Sequence, residues 1–248
     1  KHLGASQMTF TNWTLAISTE DDRKYMLPLF KFLLQKFVEI FGETALGSEK
    51  CIVYNDPAAP YPMLVTNTVP IKIRTSVSSL EIWNQYIYHL SHEMTHYVIR
   101  QYKPDKNVTI KWFEETLCEA MSLYILKWSG EHWSQCTLSS LNPNYDSAIL
   151  TYYKNAYHKV GDSVLQQCRF LSDLQAIENT CEENRIGRSI ERNYLVDTFC
   201  EYPDYIASFV YYTLYMRGAF QIDFTKWKAN DTSPLIPKLE TIQPMLVS

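Results

Sequence analysis

The sequence predicts an α+β protein, with its strands gathered in the N-terminal part and helices dominating the rest. Three observations carry that expectation. Apolar residues recur at helical spacing through 26–41, and short apolar segments separated by prolines cluster between residues 50 and 75. The 248 residues include only seven glycines, too few for a turn-rich β protein.

The first element expected is a strand over 8–18, where apolar and polar residues roughly alternate. Ser18-Thr19-Glu20-Asp21-Asp22 then supplies caps and acidic charge for a helix start. Met26, Leu29, Phe30, Leu33, Leu34, Phe37, Val38 and Phe41 continue it, and Gly42 ends it. Residues 50–55 read as a strand, and Pro57, Pro60 and Pro62 as a loop. Met63–Thr68 and Ile71–Thr75 read as extended segments, and Pro70 between them fits an edge strand or a bulge better than a central strand. Ser78-Ser79-Leu80-Glu81 has the form of a capping box opening a helix that runs to about Gln101. After a turn at Pro104–Asn107, a second helix is expected over Lys111–Trp128, with Ser129-Gly130 as its stop. The remainder reads as helices broken near Asn142-Pro143-Asn144, Gly161-Asp162 and Gly187. The last strong helix opens at Pro203 and closes at Gly218. One compact domain of 248 residues is expected, with an α+β lobe over 1–103 and a helical lobe over 104–248.

Composition narrows the partners. Hydrophobic residues make up 46% of the chain, enough for a large core, and no run of eighteen apolar residues marks a transmembrane segment. The net charge is -4 and no basic stripe is visible, so nucleic acid is not expected as a partner. The six cysteines (Cys51, Cys118, Cys136, Cys168, Cys181 and Cys200) show no metal-type spacing and are expected as free, mostly buried thiols. Lys1-His2-Leu3-Gly4 opens the chain without a signal-peptide core, which fits a cytoplasmic protein or an exported one with its leader removed. The sequons at Asn12, Asn107 and Asn230 matter only in a secretory pathway.

The stretch richest in chemistry is His92-Glu93-Met94-Thr95-His96, an HExxH pentad within the first of the two long helices. Histidines four residues apart on a helix lie one turn apart, about 6 Å, and both can reach one metal ion. Glu93 is rotated off that line but stays near enough to act on a metal-bound water, which is the arrangement a zinc peptidase needs. A third ligand is sought on the second helix, Trp112-Phe113-Glu114-Glu115-Thr116-Leu117-Cys118-Glu119. There Glu115 follows His96 after eighteen intervening residues and Glu119 shares its face. Glu114 is the competitor for the ligand role, about 100° round the helix from Glu115.

HExxH-x18-E with a Trp-x-x-Glu lead-in resembles the gluzincin metallopeptidases, above all their aminopeptidase-N-like and thermolysin-like groups. The resemblance covers roughly residues 63–125 and, more loosely, 200–220. It implies a zincin-like fold with a mixed N-terminal sheet, and a Zn2+ cofactor held by His92, His96 and Glu115. Glu93 would be the general base, and Glu119 the carboxylate that orients a ligand histidine, His92 first. The family places an oxyanion-stabilising tyrosine at the start of a later helix. Tyr202, just before Pro203, is the counterpart, with Tyr205 as runner-up. The implied activity is hydrolysis of peptide bonds in a peptide or protein substrate.

The chain departs from the aminopeptidase pattern in one respect. That group carries a Gly-x-Met-Glu-Asn segment before the zinc helix, whose glutamate holds the substrate amine, and residues 65–75 contain no acidic residue. An alternative expectation is a zincin-like binding or structural module that keeps the zinc site without the chemistry. Of the other histidines, His89, three residues before His92, reads as packed beside the site, His132 and His158 lack partners at ligand spacing, and His2 lies near a terminus.

Overall fold

The computed structural model describes residues 12–247. His2 and the part of the first expected strand before Asn12 lie outside them. The described chain is α+β, mainly helical with a small mixed sheet. None of its helices is long and apolar enough to cross a membrane.

The chain forms two compact units. Among the described residues, one comprises those up to Gln101 together with Ser122–Lys154; the other comprises Tyr102–Met121 and those from Asn155 onward. This differs from a lobe ending at residue 103 followed by one helical lobe. Aromatic packing explains the difference. Trp128 stacks on Phe32 with ring centroids 4.8 Å apart, and Trp133 and Tyr145 lie 5.6 and 4.5 Å from Trp83. Segment 122–154 therefore buries its large rings against N-terminal helices.

The first unit is built on four strands: β1 (Trp13–Leu15), β2 (Cys51–Asn55), β3 (Met63–Val65) and β4 (Ile71–Thr75). Their order is β1-β2-β4-β3, with β1–β2 and β2–β4 parallel and β3 antiparallel to β4. β3 is an edge strand, whereas Pro70 lies outside both strands, directly before the first residue of the central strand β4, where it withholds no ladder donor. Alternate residues of β2 and β4 (Cys51 and Val53; Ile71, Ile73 and Thr75) are buried, as a pleated strand packed on one face requires. Helix α1 (Leu27–Phe41) supplies Leu29, Phe30, Leu33, Leu34 and Phe37 to the core, and Gly42 closes it at φ 83. The turn before α1 is capped reciprocally. Asp22 Oδ2 accepts from the N–H groups of Ser18 and Thr19, and Thr19 Oγ1 accepts from that of Asp22. A short α2 (Glu43–Gly47) follows.

Helix α3 (Trp83–Tyr102) carries the pentad. It opens later than the expected capping box at Ser78–Glu81, and its cap is tertiary. The Tyr145 hydroxyl accepts from the N–H groups of Trp83 and Asn84 at 2.9 and 3.4 Å. Helix α4 (Lys111–Glu131) runs through the expected stop at Ser129-Gly130. Gly130 instead permits a close approach: a Cβ there would lie 2.6 Å from the Leu150 side chain on α5 (Tyr145–His158).

In the second unit, α6 (Val164–Gln167), α7 (Leu171–Thr180) and α8 (Ser189–Glu201) precede a 3₁₀ segment over Pro203–Tyr215. That segment was expected as an α-helix closing at Gly218. It ends at Tyr215 instead, and Gly218, at φ 65, makes the turn between β5 (Met216–Arg217) and β6 (Gln221–Ile222). A positive φ serves a hairpin turn as well as a helix end, so the glycine alone did not distinguish them. α9 (Phe224–Asn230) and α10 (Leu235–Glu240) complete the unit around Trp227, which stacks on Tyr215 at 5.2 Å. All six cysteines are free and all but Cys200 are buried.

Candidate metal centre

The pentad sits where α3 is most deeply buried. Leu90, Ser91, Met94, Thr95 and Val98 are fully enclosed. The two hydroxyls return to the helix, Ser91 Oγ donating to Ile87 O at 2.6 Å and Thr95 Oγ1 to Ser91 O at 2.7 Å. His92 and His96 lie one turn apart along the helix, with ring centroids 5.0 Å from each other. His92 is 3% exposed and Glu93 4% exposed.

On α4, Glu115 completes the group. One ligand atom each from His92, His96 and Glu115 lies within 4.8 Å of the others, with His92 buried and the other two half-buried. The three side chains brought together are the three ligands expected. Two imidazole nitrogens and a carboxylate oxygen are a donor set that a divalent cation such as zinc accepts. In a tetrahedral zinc site with bonds of ~2.0–2.2 Å, donors stand about 3.4 Å apart, so a pair at the 4.8 Å limit would close by about 1.4 Å on loading. The residues fit the group.

The turn of α4 around Glu115 is held by partners outside the helix. Residue 110, just before the helix, is an isoleucine, which offers no capping oxygen. Glu178, on α7, does the work instead, accepting from the Lys111 N–H at 2.8 Å and the Trp112 N–H at 3.0 Å. A carboxylate at this end also opposes the positive pole of the helix. The Trp112 indole N–H donates to Phe220 O at 2.9 Å. Glu114, the ligand competitor, is buried and ion-paired with Lys103 at 2.7 Å. The Tyr212 hydroxyl donates to the same Glu114 oxygen. Burial and the neighbouring carboxylate hold the Tyr212 hydroxyl well above its ordinary pKa, so it stays a proton donor.

Glu119 lies one turn beyond Glu115 and is 1% exposed. Arg188 Nη2 donates to its Oε1 at 3.0 Å, and Arg185 Nε stands 3.8 Å from the same oxygen. Arg188 is itself fully buried. It reaches Thr116 Oγ1 at 3.1 Å and the carbonyls of Cys181 and Asn184, so its fork spans the inner face of α4 and the end of α7.

Tyr202 caps the end of α8. Its side chain forms a hydrogen bond with Glu201, which raises its pKa, and the Lys238 ammonium stands 5.8 Å from its ring centroid. Tyr205 is 46% exposed. The tyrosine of this segment that is bonded to α4 is Tyr212. Among the other histidines, His132 stacks on Trp128 at 5.1 Å with Nδ1 2.9 Å from Trp128 O, and His158 is exposed at the end of α5. Lys103, Glu178, Arg188 and Tyr212 carried no local motif. The one available signal was negative: a helix whose first turn lacks a local cap needs one from elsewhere.

Compared with models of known families, with curated proteins and with solved structures, the chain finds no match.

Proposed function

We propose that this protein is a zinc-dependent peptidase of the gluzincin type, with His92, His96 and Glu115 as metal ligands. The observation that carries the proposal is the convergence of those three side chains, from positions separated by eighteen residues, beside a buried glutamate at position 93. When bound, zinc supplies a Lewis acid that acidifies a water and polarises the scissile carbonyl. Glu93 would take the proton from that water and pass it to the leaving amine. Its near-complete burial keeps bulk water from competing for that role. Glu119, held on Arg188, would steady a ligand histidine. Tyr202 would donate to the developing oxyanion. An extended substrate would add to the outer edge of β3, which among the described residues pairs only with β4.

The test combines metal analysis with a peptide-library digest read by mass spectrometry, on the wild type and on Glu93→Gln. About one zinc per chain is expected in both. Cleavage by the wild type should fall by about 10²–10⁴-fold in the variant. Zinc without any cleavage would favour a binding module. Cleavage that survives in Glu93→Gln would rule out the proposed base.

A further inference from the structure

Lys103 is the first residue after α3, and Ile110 the last before α4. The connection 103–110 therefore joins the helix of His92 and His96 to the helix of Glu115. One end reaches a buried carboxylate directly and the other reaches it through a tyrosine hydroxyl. The Lys103 ammonium lies 2.7 Å from Glu114 Oε2, with the two side chains 4% and 6% exposed. Lys103 also donates to Thr109 Oγ1 and stands 5.9 Å from the Tyr212 ring centroid. The Tyr212 hydroxyl donates to the same Glu114 Oε2 and accepts from the Ile110 N–H at 3.3 Å.

Burying two charges costs about as much as their attraction returns, so an apolar pair would stabilise the fold equally well. What the charged pair adds is a single geometry, since Glu114 Oε2 must meet an ammonium and a phenol at once. Glu115 is the next residue, about 100° further round the helix. Fixing Glu114 thus fixes the rotation of the first turn of α4 and the direction of Glu115. It also withdraws the adjacent carboxylate from competition for a cation.

We propose that Lys103, Glu114 and Tyr212 are positioning residues that lock the first turn of α4, so that Glu115 and not Glu114 is offered to the metal. The inference rests on the metal reading above. Its test uses the full chain, stripped of metal by a chelator. Zinc is titrated against a chromophoric competitor below the melting temperature of the metal-free protein. Cobalt(II) is titrated separately, because its visible absorption reports the number and arrangement of donors.

Tyr212→Phe removes one oxygen and keeps the ring. It should weaken zinc binding about 10–100-fold, the range for partners that orient a ligand, and change the cobalt spectrum. Thr109→Val, at a half-buried position, takes one acceptor from Lys103 and should move both readouts the same way by less. A folded Tyr212→Phe with wild-type zinc affinity and cobalt spectrum overturns the positioning role. Should that variant fail to fold, Thr109→Val decides in the same manner. A wild type that takes up neither metal instead refutes the metal reading itself, a result distinct from any variant's failure.

Discussion

Replacing Arg188 by methionine should be among the most damaging single changes in this protein, for reasons that are electrostatic and local. The guanidinium is fully buried and the Glu119 carboxylate it holds is 1% exposed, so water screens neither partner. The substitution removes the 3.0 Å bond to Glu119, the bond to Thr116 Oγ1, and the bonds to the Cys181 and Asn184 carbonyls. It also leaves a carboxylate without its principal counter-charge in the interior. Breaking a buried pair from one side costs about 3–5 kcal/mol, mostly for the stranded partner. For a chain of this length that corresponds to a fall in Tm of roughly 6–20 °C. Urea unfolding followed by circular dichroism gives the matching midpoint shift, about 1–2 M for a slope near ~3 kcal/mol/M. The double variant Arg188→Met/Glu119→Gln removes the stranded charge and should recover about half of the loss. Arg188→Lys keeps the charge but not the fork, and should fall between wild type and Arg188→Met. An Arg188→Met protein within ~1 kcal/mol of wild type would refute the reasoning. So would a double variant no more stable than the single one.

Two further outcomes follow from other sites. Glu191 is buried, its Oε1 bonded to the Ser163 hydroxyl and its Oε2 without a partner among the described residues. Burial raises its pKa above the ordinary carboxylate value, against weaker lowering by Ser163 and Arg188. A raised folded-state pKa means a contribution fully present below the unfolded pKa near ~4.3 and lost as pH rises through the folded value. Glu191→Gln should therefore gain Tm over wild type at pH 7–8 and gain little at pH 4; an equal gain at both would show that the carboxyl does not titrate between them. At Gly130, alanine would improve helix propensity by ~1 kcal/mol, but its Cβ would meet Leu150 at 2.6 Å, and overpacking costs about 1–3 kcal/mol. A net loss of Tm is expected from Gly130→Ala, relieved by adding Leu150→Ala. A more stable Gly130→Ala alone would show that α5 yields freely.

Local and periodic information was legible in the sequence. The apolar spacing of α1, its Thr19–Asp22 entry and its Gly42 exit are contacts within a few residues, and they appear as expected. The strands over 51–55 and 71–75 follow from short apolar runs, while Pro70 stands outside the ladder, just before the central strand β4. The grouping of His92 with His96 is a consequence of helix geometry alone. That Glu115 joins them was implied by spacing and resemblance, and the fold realises it. Glycine was the weakest guide. Gly130 lies within a helix and Gly218 within a hairpin, because a residue without a side chain serves close packing and positive φ alike.

By itself, then, the sequence determined the fold class, the long helices and the pair of histidines on one face of α3. Only the tertiary structure decided what holds each helix end and each buried acid. Tyr145 caps α3 from sixty residues away, and Glu178 caps α4 from almost seventy. Lys103 and Tyr212 take Glu114, and Arg188 takes Glu119. An uncapped N–H or a buried carboxylate states in the sequence only that a partner is needed. Any donor or acceptor of the right kind can meet that need, and which one arrives depends on how the apolar faces pack.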